Sequence, residues 1–91
     1  MNFTNTIVPQ ELFYAFWDVD KKSLDLIEHK KFIVSRMFER GKFEDVLDIV
    51  VLYGKDEVAE ILQNNKYLSQ DGIHLAHAVL DIPLDQFKAN K

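Results

Sequence analysis

Ninety-one residues with a net charge of −4, 47 % apolar side chains and no cysteine describe one small globular unit. That apolar share excludes a disordered chain, and the missing cysteines exclude disulfides and thiolate metal sites, so a reducing, cytoplasmic setting is expected. The opening MNFTNTIVPQ shows no basic stretch followed by an apolar run, and no apolar segment approaches the ~20 residues that span a bilayer. Neither a signal peptide nor a membrane span is expected.

Pro9 followed by QELFYAFW reads as a short first helix, with proline in the turn where its missing donor costs nothing. The polar DVDKKSLD should end it near Trp17 or Asp18. A second helix is predicted from about Leu26 to Arg40, capped by Ser23 or Asp25. On its wheel Ile27, Ile33, Val34, Met37 and Phe38 share one side, while Glu28, His29, Ser35, Arg36 and Glu39 lie opposite. Lys30 falls in the apolar arc and should extend along its alkyl stem to water.

Three helices stitched by two glycines occupy Phe38 to Leu62, and this stretch fixes the fold class. Gly41 follows a basic helix end, Arg36 and Arg40, and Gly54 follows an apolar run ending at Tyr53, so left-handed C-terminal stops are expected at both. The helix between them, about Phe43 to Tyr53, is apolar almost all round, with only Glu44, Asp45 and Asp48 as a polar strip. Such a helix is either central in its domain or half covered by another chain. Its Ile49–Val50–Val51 run could form a strand, but the acidic lead-in and Gly54 favour helix. A fourth helix, about Lys55 to Asn64, turns Val58, Ile61 and Leu62 inward, with Asp56 and Glu57 suited to its first turn. NNKYLSQDG is a loop. Ser69 or Asp71 then caps a fifth helix that runs to about Asp81 with Ile73, Ala76, Val79 and Leu80 inward, stopped by Pro83. LDQFK should form a last short turn. The chain therefore reads as all-α: one compact domain over 1–91, about five short helices centred on the 43–53 helix, ends fraying at about 1–8 and 89–91.

Charge is unevenly placed. Residues 28–42 hold Lys30, Lys31, Arg36, Arg40 and Lys42 against Glu28 and Glu39. Residues 43–60 hold Glu44, Asp45, Asp48, Asp56, Glu57 and Glu60 against Lys55 alone. These are either solvated faces that neutralise one another across a helical hairpin, or a bipolar surface that orients a charged partner.

Chemistry-bearing motifs are scarce. His74 and His77 stand at i, i+3 with Asp71 and Asp81 one turn to either side, but no second element supplies a metal ligand, so no metal or other cofactor is expected. Asp18 and Asp20 resemble the start of a calcium loop without its glycine or closing glutamate. Ser23, Ser35 and Ser69 lack nucleophile-elbow glycines, and no phosphate-cradling loop is present, which argues against an enzyme. The 43–53 helix, the YGKD turn and the next helix resemble a helix-turn-helix, yet the recognition helix would carry Asp56, Glu57 and Glu60 toward phosphates. Nucleic acid is therefore not the expected partner.

The segments LFYAFWDVD, HKKFIVSRMFERGKFED, LYGKDEV and LSQDG, with AHAVLDIPLDQFK, resemble a small, largely uncharacterised bacterial family of all-helical proteins. Its members share a Phe–Trp–Asp opening, a helix ending in Glu–Arg–Gly, a Tyr–Gly turn and a Leu–Ser helix start. The resemblance covers about residues 12–88 and departs at His74 to His77, where the family is more aromatic. Such proteins are often encoded beside nucleotidyltransferase-like toxins, so the resemblance implies an antitoxin-like role. The expected function is a non-enzymatic protein-interaction module whose partner is that toxin-like neighbour, or a second copy in a homodimer. Glu44, Asp45 and Asp48 are the candidate contacts on its acidic side. The alternative is a small transcriptional regulator that binds DNA through Lys31, Arg36 and Arg40 on the basic face of the 26–40 helix.

Overall fold

The computed structural model describes residues 8, 10–20 and 24–90. Pro9, Ser23 and the expected fraying over 1–7 lie outside them. A seven-residue 3-10 helix, Gln10–Phe16, leads into four α-helices: α1 (Lys30–Arg40), α2 (Phe43–Tyr53), α3 (Lys55–Asn64) and α4 (Gln70–Leu80). The fold is all-α, with no strand among the described residues. Among the described residues no helix is long and apolar enough to cross a membrane.

The leading helix ends at Phe16, close to the expected stop, and buries Leu12, Ala15 and Phe16. α1 starts four residues later than its periodicity suggests. The Asp25 carboxylate accepts from the backbone N–H of Ile27 at 2.7 Å and of Glu28 at 3.0 Å, which holds 26–29 in a turn. Ile27 consequently lies off the helix and is 66 % exposed instead of joining the inner stripe. The rest of that stripe, Ile33, Val34, Met37 and Phe38, is fully buried as read. Ser35, placed on the outer face, is also buried, because Asn65 reaches across from the turn after α3 and donates to its hydroxyl at 2.9 Å. The Lys30 ammonium does not simply extend to water but pairs with Glu57 of α3.

The two glycines behave differently from each other. Gly41 has φ −77° and ψ 156°, an ordinary extended geometry and not a left-handed stop. Glycine stands there for space, since a Cβ would lie 2.6 Å from both the Met37 Cε and the Met37 carbonyl oxygen. Gly54 does take a positive φ of 93°, with ψ 142°, and alone connects α2 to α3.

The domain is not centred on the 43–53 helix. α1 and α3 each pack against all three other α-helices, whereas α2 packs mainly on those two and lies at the side. Val46 and Ile49 are its buried residues, while Val50, Leu52 and Tyr53 are packed partly against the core. Ser69 caps α4 by accepting from the Gly72 N–H at 3.2 Å, and Asp81 ends it in the left-handed conformation. Beyond Leu84–Gln86 the buried Phe87 anchors a further 3-10 turn, Lys88–Asn90, against α3, where the sequence reading ends ordered structure near 88.

Candidate interaction surface

An α2 lying at the side of the bundle can bury only part of its apolar circumference. Phe43, Leu47 and Val51, spaced i, i+4, i+8, remain 60 %, 40 % and 78 % exposed. At 1.5 Å per residue they form a ridge about 12 Å long on the outer side of the helix. Trp17, Ile27 and Tyr67 are also exposed, each in a different turn and off the α-helices. Glu44 and Asp48 each follow a ridge residue by one position, about 100° further round, so both carboxylates border the ridge along the same edge.

Asp45, expected to complete that acidic strip, is turned to another task. Its carboxylate accepts from the Tyr14 hydroxyl at 2.6 Å, while the same hydroxyl accepts from the Lys42 backbone N–H at 2.8 Å. Burial, then the bond to the Asp45 carboxylate, raises the Tyr14 phenol above its ordinary value. The Lys42 ammonium lies 5.3 Å from the Tyr14 ring centre. Tyr14 thereby satisfies the N-cap N–H of α2 and ties it to the Asp45 carboxylate from outside the helix, while Lys42 makes no side-chain cap bond of its own.

At the other end of α2 the Tyr53 hydroxyl donates to the Leu26 carbonyl at 2.6 Å. Desolvation and the nearby Asp25 charge push this phenol up to about 12.

Lys31, Arg36 and Arg40 do not assemble a surface. Arg36 donates to Asp18 Oδ1 at 2.6 Å and Oδ2 at 3.1 Å, donates to the Ala15 carbonyl at 3.1 Å, and lies over the Phe32 ring. The Arg36 hydrogen bond holds the Asp18 carboxyl below its usual range. Lys31 and Arg40 are exposed, but nine positions apart on a helix they point about 180° from one another. Between α1 and α3 lies a groove of about 680 Å³, floored by Phe32 and Ile61 and walled by Lys30, Glu57 and Tyr67. Its charges are largely engaged: Lys30 with Glu57, Arg36 with Asp18, and Lys66 over the Tyr67 ring. The neutralisation across helices therefore runs between α1 and α3.

His74 is exposed, and His77 Nδ1 donates to the Ile82 carbonyl at 2.7 Å, since a carbonyl can only accept. Among the described residues no three His, Cys, Asp or Glu side chains converge on a metal position.

Sequence reasoning identified α2 as unusually apolar but could not say which side was covered. The Tyr14–Asp45 and Arg36–Asp18 links join residues 31 and 18 positions apart, and no local pattern signals either.

Residues 13–62 match DUF6922, a family of unknown function, and the chain belongs to that family. The match takes in Tyr14, Asp18, α1 and all of α2, and stops short of α4. No curated protein and no solved structure matches the chain.

Proposed function

We propose that this member of a family of unknown function is a non-enzymatic protein-interaction module that engages a protein partner through the outer face of α2. One observation carries the reading: Phe43, Leu47 and Val51 form a continuous exposed ridge on a helix whose opposite side is core. Apolar ridges bordered by polar residues are characteristic of interaction sites, and their burial supplies affinity. Glu44 and Asp48 at the edge would steer a basic surface into place. The resemblance drawn from the sequence makes the partner a nucleotidyltransferase-type toxin, with the module acting as its antitoxin in a bacterial cytoplasm. Masking would then be steric and electrostatic, the acidic edge meeting the basic nucleotide site.

The DNA-binding alternative draws on Lys31, Arg36 and Arg40, and receives less support. Arg36 is committed to Asp18, and the other two point apart.

Co-expression with the product of the adjacent gene tests the proposal. The two proteins should co-purify, and Val51→Glu should release the partner while leaving the helical circular dichroism unchanged. Retention of the partner by Val51→Glu and by Leu47→Glu alike would remove α2 as the contact face.

A further inference from the structure

We infer that the α2 ridge receives an amphipathic helix edged with lysine or arginine, supplied by another protein and not by a second copy of this chain. The inference rests on the reading of α2 as the partner face.

The shape argues for a helix. Phe43, Leu47 and Val51 protrude as an i, i+4, i+8 row, so the occupant must bring the groove, and rows of this spacing seat between the corresponding rows of a second helix. An added strand finds no purchase, because the α2 backbone is committed to its own helical hydrogen bonds. A small molecule finds no enclosure either; the groove between α1 and α3 has no α2 residue in its lining.

The charges argue against self-pairing. Within α2 only one edge of the ridge is charged, by Glu44 and Asp48. The other edge is Val46, Val50 and Tyr53, which turn into the core. Two copies pairing antiparallel about a twofold axis place acidic edge against acidic edge. Parallel pairing sets each acidic edge against the other copy's Val46–Val50 side, where the row holds one cation, Lys42 at the N-cap, with its ammonium over the Tyr14 ring. Antiparallel pairing thus offers no counter-charge, and parallel pairing offers one for two carboxylates. A helix with cations along one border offers two, at the spacing of Glu44 and Asp48.

Two synthetic helical peptides test this on the full-length chain by fluorescence anisotropy. They share one leucine stripe and differ only in lysine or glutamate along its border. The lysine peptide should bind about tenfold more tightly, the sum expected of two edge pairs replacing two like-charge contacts. The double change Glu44→Lys, Asp48→Lys should invert that preference, and Leu47→Asp should abolish binding of both. Equal binding of the two peptides overturns the charge assignment while leaving α2 as an interaction face. Lysine-peptide binding that survives Leu47→Asp places the contact elsewhere and also overturns it. So does a homodimer, seen by sedimentation equilibrium, that Leu47→Asp dissociates. If neither peptide binds a monomeric chain, the helix occupant is wrong, and co-purification with the neighbouring gene product still decides the broader proposal separately.

Discussion

Arg36 grips Asp18 through both terminal nitrogens, and so fixes α1 to the end of the leading 3-10 helix. A residue that the sequence offers as a nucleic-acid contact is thereby a clamp inside the fold. Its side chain is only 13 % exposed. Arg36→Ala removes three hydrogen bonds and the stacking on Phe32, and should cost about 2 kcal/mol, lowering the melting temperature by roughly 10 °C in a chain of this size. The clamp also sets an acid limb. Because the Asp18 pKa lies below its usual 3.8, the folded state binds fewer protons than the unfolded one between those two values. Stability from this pair is full above pH 3.8 and is lost as pH falls through the folded value. Asp18→Asn should flatten that limb in acid titrations followed by circular dichroism; an unchanged limb would show that the pair does not drive it.

Gly54 and Gly41 should respond to different substitutions. At Gly54 the combination of φ 93° and ψ 142° lies outside the left-handed well that asparagine tolerates, so Gly54→Asn should be as damaging as Gly54→Ala, each by about 1–3 kcal/mol. At Gly41 the backbone suits any residue, and the damage from Gly41→Ala comes from crowding Met37. Thermal melts of the three variants check this. A neutral Gly54→Asn would mean that the α2–α3 joint is an ordinary left-handed cap.

Tyr53 predicts an alkaline limb. Its phenol titrates at about 12 when folded against 10.0 ordinarily, so between those values the unfolded state has released a proton that the folded state retains. Stability is full below pH 10 and declines as pH rises toward 12. Tyr53→Phe should remove the larger share of this decline, leaving that of the Tyr14 phenol, which is also raised, while costing about 1 kcal/mol at neutral pH, the usual worth of one hydrogen bond. Denaturant melts at pH 7 and at high pH, run on both proteins, separate the two effects.

Much of the fold is legible in the sequence because helix periodicity and caps are local. The ranges of α2 and α3 agree with the periodicity, Ser69 caps where a serine before an apolar run should, and Ile33, Val34, Met37 and Phe38 all point inward. What is not local is not legible. An apolar count shows that 43–53 is apolar all round but does not say which elements cover it, and α1 and α3 take the centre instead. The partners of Arg36, Asp45 and Ser35 come from distant segments, so their roles as clamp, end-pin and buried hydroxyl leave no pattern in the chain. The candidate surface was half visible: Glu44 and Asp48 border the exposed ridge, while Asp45 has been withdrawn to Tyr14.

The two tyrosines at the ends of α2 have a thermodynamic consequence for any complex formed on its outer face. Tyr14 holds the first turn and Tyr53 ties the last to Leu26, with only Gly54 before α3. The helix enters association already shaped, so α2 brings no folding transition of its own to the encounter. Its contribution to the calorimetric trace should be a negative heat-capacity change from buried Phe43, Leu47 and Val51, without the opposing entropy of ordering on the side of α2.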